Sequence, residues 1–209
     1  MQQEIKVERR TTKVVFCLPG NSYTRGFFDS WVKLDGYLKG QGIEAVVSTA
    51  GGSNVSKVRE RCVRPFKPGS LHPNEPFYGE IDYDYIMWID SDIIFNPEDF
   101  QKLLDKDLDI VAGLYNAADG NFACRIVDDS DGKTKQVVGP VEAEWVGMGF
   151  MLMKRGVLEA ITPPWFQTTV VDGQFLTEDI YFCYMARNAG IKVYVDPNVV
   201  VKHVKELII

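Results

Sequence analysis

Apolar and polar positions fall in blocks whose periods switch between strand and helix. "KVVFCL" (Lys13 to Leu18) is β-branched and apolar and stops at Pro19-Gly20, which predicts a buried first strand breaking into a loop. Phe27, Phe28, Trp31, Leu34 and Leu38 recur at helical spacing and form one apolar stripe, which Gly40 and Gly42 bring to an end. "IEAVVSTA" (Ile43 to Ala50) reads as a second strand, followed by a Gly-Gly-Ser turn. "NVSKVRERCV" (Asn54 to Val63) reads as a helix with Val55, Val58, Cys62 and Val63 facing inward.

Arg64 to Glu80 contains four prolines and Gly69, the composition of a connector or irregular insert. An uncharged run, Tyr85 to Ile89, then leads into Asp90-Ser91-Asp92. A helix start follows, with Asn96 as cap, Pro97 at the first helical position and Asp99 where a capping-box acid belongs. "DIVAGLY" (Asp109 to Tyr115) predicts another strand. Asn116 to Pro140 is polar, with "DDSDGK" as a hairpin tip. "EWVGMGFMLMK" reads as a loop entering a strand, and "LTEDIYFCYMARNAG" as a helix capped by Thr177 and ended by Gly190. "IKVYVDP" alternates like a strand, and "VVVKHV" closes the pattern. Strands alternate with helices early and turn hairpin-like late, which predicts an α/β domain with a mostly parallel, mixed sheet.

The chain has 209 residues, 45% of them hydrophobic and 12% aromatic, enough for one domain with a real core. Its net charge of −6 argues against nucleic acid or an anionic membrane as the main partner. No apolar run reaches the roughly 20 residues of a spanning helix, and "MQQEIKVERRTTK" lacks the apolar centre of a signal peptide. Cys17, Cys62, Cys124 and Cys183 form no CxxC pair and read as free thiols of a reducing compartment, so a cytoplasmic location is expected.

Side chains two apart on an extended segment point the same way, so Asp90 and Asp92 emerge side by side at a strand end. Ligands of open α/β sheets bind beyond the carboxyl ends of the strands. Two neighbouring carboxylates need compensation, which a divalent cation shared with substrate phosphates would supply. The alternatives are solvated turn residues bonding local amides, or a dehalogenase-type phosphohydrolase with Asp90 as nucleophile. In that class the motif ends the first core strand, whereas here at least two strand-helix units precede it. Neither a GxxxxGK[ST] nor a GxGxxG fingerprint follows a strand, which counts against kinases and dinucleotide oxidoreductases.

Taken in order, "VVFCLPG", "SNVSKVRERCV", "IMWIDSDIIF", "EWVGMGFMLMKRGVLEAI", "LTEDIYFCYMARNAGIKVYVDP" and "VVVKHV" resemble a GT-A-fold glycosyltransferase of the broad group that includes glycosyltransferase family 2. The resemblance covers about residues 13 to 204. It implies a GT-A (Rossmann-like) domain over residues 13–209 after an N-terminal extension (1–12), with a nucleotide-binding half (13–95) and an acceptor-binding half (96–209). Pro19, Gly20, Asn21, Arg59, Asp90 and Ser91 would then meet the nucleotide donor. Asp90, Asp92 and His203 would hold Mn²⁺ or Mg²⁺. Asp179 would be the base, with Glu178 an acceptor-binding or orienting neighbour. Trp145, Gly147, Met148 and Gly149 would face the acceptor, although Met148 stands where a smaller residue is more usual.

The implied reaction is inverting, metal-dependent transfer from a nucleoside diphosphate sugar, most naturally a UDP-sugar, to a hydroxyl of a glycan or other acceptor. The chain is short for that family, which is accommodated by a small acceptor, an additional domain, a partner subunit or truncation. A sugar-nucleotide binding module without turnover is the remaining alternative.

Overall fold

The structure is a computed structural model that describes residues 11–65, 67, 69–70, 72–117, 120–127 and 139–204. The "DDSDGK" tip lies outside the described residues, as does nearly all of the N-terminal extension. The elements are β1 (Lys13–Pro19), α1 (Arg25–Gln41), β2 (Glu44–Ala50), α2 (Val55–Val63), β3 (Tyr85–Ile89), β4 (Ile93–Ile94), α3 (Pro97–Leu104), β5 (Ile110–Leu114), β6 (Cys124–Ile126), β7 (Val141–Val146), β8 (Phe150–Lys154), β9 (Thr169–Val171), β10 (Gln174–Leu176), α4 (Glu178–Asn188), β11 (Val193–Val200) and β12 (Lys202–His203).

Eight strands form one sheet in the order β2-β1-β3-β8-β5-β11-β7-β6. β1 pairs in parallel with β2 and β3, and β5 with β11, while β8 runs antiparallel between β3 and β5. The sheet is therefore mixed and mostly parallel in strand direction, and residues before and after Asn96 share it.

Strand alternation sorts the core into two layers. Val14, Phe16, Met87, Ile89 and Val111 pack with α1 and α3, whereas Val15, Cys17, Ile86, Trp88, Ile110 and Ala112 pack with α2 and α4. Trp88, Phe16, Phe100, Phe150 and Phe182 are fully buried, each stabilising by about 1.5–3 kcal/mol relative to exposure. That burial offsets the cost of charged groups buried at the sheet's rim.

Local signals decide the element ends. Asn96 and Asp99 form the expected capping box, with the Asn96 amide donating to Asp99 Oδ2 at 2.9 Å. Helix α1 runs through Gly40 and ends at Gly42, whose φ of 68° only glycine adopts without strain. Phe28 is 60% exposed, and Phe27, Leu34 and Leu38 with Ser30 make the buried face instead. The Ser30 hydroxyl earns its burial by accepting from the Phe95 amide at 3.1 Å. In α2 the inward position expected for Val55 goes to Arg59, which is buried while Val55 is exposed. The "EWV" segment expected to be loop is strand, because Trp145 and Val146 pair with Arg125 and Cys124 of β6. Strand β11 extends past "IKVYVDP" to Val200, with a register irregularity between Asp196 and Val200.

β1, β3 and β5 end, and β8 begins, along one rim, since Ile89 pairs with Phe150. β12 returns to this rim and pairs with β4, placing His203 opposite Ile93. Among the described residues no helix is long and apolar enough to cross a membrane.

Candidate active site

Three elements deliver the charged groups at the rim: the turn after β3 carries Asp90 and Asp92, the inner face of α2 carries Arg59, and the first turn of α4 carries Glu178 and Asp179. Arg59 is only 4% exposed. Its Nη1 lies 3.0 Å from Asp90 Oδ1, its Nη2 donates to Asp90 Oδ2 at 3.1 Å, and its Nε donates to Glu178 Oε1 at 3.2 Å. The guanidinium also lies 5.7 Å from the centroid of the Trp88 ring. Burial alone would lower the Arg59 pKa, but Asp90, by charge and hydrogen bond, and Glu178 together hold it above the ordinary arginine value. Arg59 thus binds two carboxylates of its own chain.

Asp92 meets His203, with His203 Nε2 lying 3.0 Å from Asp92 Oδ2 and Nδ1 lying 2.8 Å from the Asn116 carbonyl. The Val204 amide donates to the Asp92 carbonyl at 2.9 Å, locking the two segments together. A carbonyl only accepts, so a neutral His203 carries its proton on Nδ1 and turns the Nε2 lone pair toward Asp92. Two acceptors at that distance repel unless the ring takes a second proton or a cation sits against both. The spacing suits a cation, because ligand atoms about 2.1 Å from a metal on adjacent octahedral corners lie about 3.0 Å apart. Among the described residues no three His, Cys, Asp or Glu side chains converge as a metal-binding group. Asp90, expected to share the cation, points both oxygens at Arg59 instead.

The two acids of α4 part company. Glu178 is buried against Arg59. Asp179 is half-buried, and its Oδ1 takes both the Thr177 hydroxyl and the Ile180 amide at the helix start. Oδ2 takes part in neither contact. A helix N-terminus stabilises a carboxylate by about 0.3–1 kcal/mol.

Pro19, Gly20, Gly52, Ser53, Val55, Val58, Asp90, Ser91 and Asp92 line a cavity of about 240 Å³. Gly20, at φ 153°, leaves room for the DxD turn: a Cβ there would stand 2.7 Å from Ser91 Cβ. Asn21 sits beside the cavity and donates to the Gly52 carbonyl at 3.2 Å. Gly52, Ser53, Val55 and Val58 are not among the expected donor contacts; the sequence marks them only as a Gly-Gly-Ser turn and as inward positions of a helix.

The W-x-G-x-G-F segment serves the fold more than its motif suggests. Met148 is fully buried among the α4 layer, so its side chain does not face an acceptor. Trp145 is half-buried on β7, opposite Arg125. Gly147 and Gly149 accommodate Tyr115: a Cβ at Gly147 would lie 2.1 Å from the Tyr115 hydroxyl oxygen. The Gly149 amide donates to that oxygen at 2.9 Å. Burial, reinforced by the charge of Asp90, pushes the Tyr115 phenol up. Tyr115, expected as the last residue of a strand, and Asn116 are further site residues that sequence reasoning missed, their only signal being two polar-tipped side chains where an apolar run ends. His72, in the proline-rich connector, places Nδ1 3.1 Å from Glu75 Oε1.

Asp90 follows the third strand in the chain, and Arg59 holds both its oxygens, an arrangement unsuited to a phosphohydrolase nucleophile. Cys17, Cys62 and Cys183 are buried and Cys124 half-buried, all as free thiols. Burial holds the Cys62 and Cys183 thiols up at about 12.

No family model and no curated protein matches this chain. Among solved structures, it is similar to A197 from STIV, at 22% identity and TM-score 0.60, covering 93% of this chain and 87% of that one. It is also similar to a mutant Drosophila β-1,4-galactosyltransferase 7 in complex with manganese, UDP-Gal and xylobiose, at 14% identity and TM-score 0.52, covering 94% of this chain and 72% of that one. At these identities the likeness establishes the fold, which is that of the GT-A-type glycosyltransferases, with its mixed sheet between helical layers.

Proposed function

We propose that this chain is a metal-dependent glycosyltransferase that moves a sugar from a nucleoside diphosphate donor to a hydroxyl acceptor. The observation that carries this reading is the Asp92–His203 pair, with Oδ2 and Nε2 3.0 Å apart and Asp92 lining the Pro19–Asp92 cavity. The similarity in fold to a galactosyltransferase solved with manganese and UDP-Gal supports it.

Asp92 Oδ2 and His203 Nε2 would hold Mn²⁺ or Mg²⁺, and the Asn116 carbonyl fixes the imidazole tautomer that binds it. A cation bound there neutralises charge on a departing diphosphate. The cavity walls divide the work: Val55 and Val58 offer an apolar side for a nucleobase, taken to be uracil, and Gly20 and Gly52 admit close backbone approach. Asp90, held by Arg59, would accept from a ribose hydroxyl or a metal-bound water. Asp179 Oδ2 accepts the proton of the acceptor hydroxyl as that oxygen attacks the anomeric carbon. Attack from the face opposite the diphosphate inverts the centre. Glu178 holds Arg59, and through it Asp90, rather than touching substrate.

The test is sugar release from a panel of UDP- and GDP-sugars, with Mn²⁺ or EDTA, for wild type and Asp92→Ala. Cleavage of one donor that requires the metal and Asp92 supports the reading and names the sugar. Donor binding without release would make this a binding module. Phosphate release from simple esters, lost in Asp90→Asn, would make it a hydrolase.

A further inference from the structure

Tyr115 directly follows β5, and its side chain reaches both halves of the proposed cation site. Its hydroxyl accepts from the Gly149 amide at 2.9 Å, and the Gly149 carbonyl accepts from the Asp90 amide at 2.9 Å. One residue, through the two peptide groups that flank its Cα, therefore ties the phenol to the turn that carries Asp90 and Asp92. On its other side the Tyr115 ring meets the His203 imidazole edge-on, with centroids 5.4 Å apart and planes at 84°. The next residue supplies the carbonyl that takes His203 Nδ1. Tyr115 is only 7% exposed and its ring fills a notch that two glycines leave open, with a Cβ at Gly149 placed 2.8 Å from Tyr115 Cζ. A ring that merely filled space would not need a hydroxyl matched to a single amide.

We propose that Tyr115 is a positioning residue for the cation site. Its ring fixes the plane of His203, and its hydroxyl fixes the Asp90–Asp92 turn through Gly149. This rests on the reading of Asp92 and His203 as cation ligands. Tyr115 touches neither metal nor substrate, and its effect is to hold two ligands at the spacing a cation requires.

The experiment is direct titration of the full-length chain with Mn²⁺ alone, reading free Mn²⁺ by electron paramagnetic resonance. Wild type, Asp92→Ala, Tyr115→Phe and Tyr85→Phe are compared, with thermal melts confirming that each folds. Tyr85→Phe is the control, since that hydroxyl bonds Asp107 at the opposite end of β3. Wild type is expected to bind, Asp92→Ala to lose binding, Tyr115→Phe to weaken it about tenfold, and Tyr85→Phe to leave it unchanged. Wild-type affinity in Tyr115→Phe, with binding lost in Asp92→Ala, overturns the role of Tyr115 while leaving the cation site standing. No binding by wild type overturns both. If Tyr115→Phe does not fold, Gly147→Ala displaces the same hydroxyl and is expected to give the same loss of affinity.

Discussion

Replacing Arg59 with methionine removes the one cation from a buried cluster and leaves its two carboxylates facing each other. Methionine is close enough in length to fill the channel beside Trp88, so the lost energy is mainly electrostatic. Removing one partner of a buried ion pair costs about 3–5 kcal/mol, because the remaining charge is stranded away from water. Here two carboxylates are stranded, but unequally. The Glu178 side chain is 10% exposed and has little water to turn to, whereas Asp90 is 27% exposed and recovers part of its hydration. The expected loss is therefore about 3–4 kcal/mol, nearly all from Glu178. Against a domain stability of about 5–15 kcal/mol, the variant still folds at low temperature. At about 2–4 °C per kcal/mol for a chain of this size, its Tm falls by roughly 6–16 °C.

Urea titration and thermal melts read the single variant, and Arg59→Met/Glu178→Met completes the comparison. Replacing both partners with apolar groups is expected to restore much of the loss. A single-variant cost under about 1 kcal/mol, the value of an exposed pair, would refute the placement of Arg59 as a buried tether.

Gly147→Ala drives a methyl toward the Tyr115 hydroxyl, which Gly149 and its surroundings confine. Overpacking of this kind costs about 1–3 kcal/mol, read by urea titration; a neutral substitution would show that the notch yields. Glu60 accepts from the Trp165 and Phe166 amides at 3.1 and 3.3 Å, and its burial raises the carboxyl pKa more than those amides and Arg64 lower it. The folded state then keeps this proton to higher pH than the unfolded state, so its contribution to stability falls as pH rises from the carboxylate range toward neutrality. In urea titrations across that range, wild type is expected to lose stability relative to Glu60→Gln as pH rises; a constant difference would refute the buried-acid account.

Much of the fold was legible because strands and helices write their periods locally. "KVVFCL" and "YIMWI" are buried on both faces and show as continuous apolar runs, and Asn96-Pro97 with Asp99 marks a helix start within four residues. The misreadings arise where a local rule met a distant partner. Phe28 fits the α1 stripe by spacing, yet the sheet accepts only one edge of that stripe. Trp145 reads as loop beside two glycines, yet β6 claims it through Arg125.

In the candidate site, sequence by itself determined that two carboxylates leave a buried strand, that two more open a helix, and that a histidine returns near the end of the pattern. Those are properties of chemistry and spacing along the chain. The tertiary structure decided which of these groups meet. Arg59 and Glu178 lie 119 positions apart and Asp92 and His203 lie 111 apart, and no local period encodes such pairings. Burial then fixed their roles: Arg59, with nowhere to find water, takes the nearest acids, and Tyr115 occupies the space that Gly147 and Gly149 leave. Those assignments follow from desolvation and close packing, which exist only once the sheet has brought its rim together.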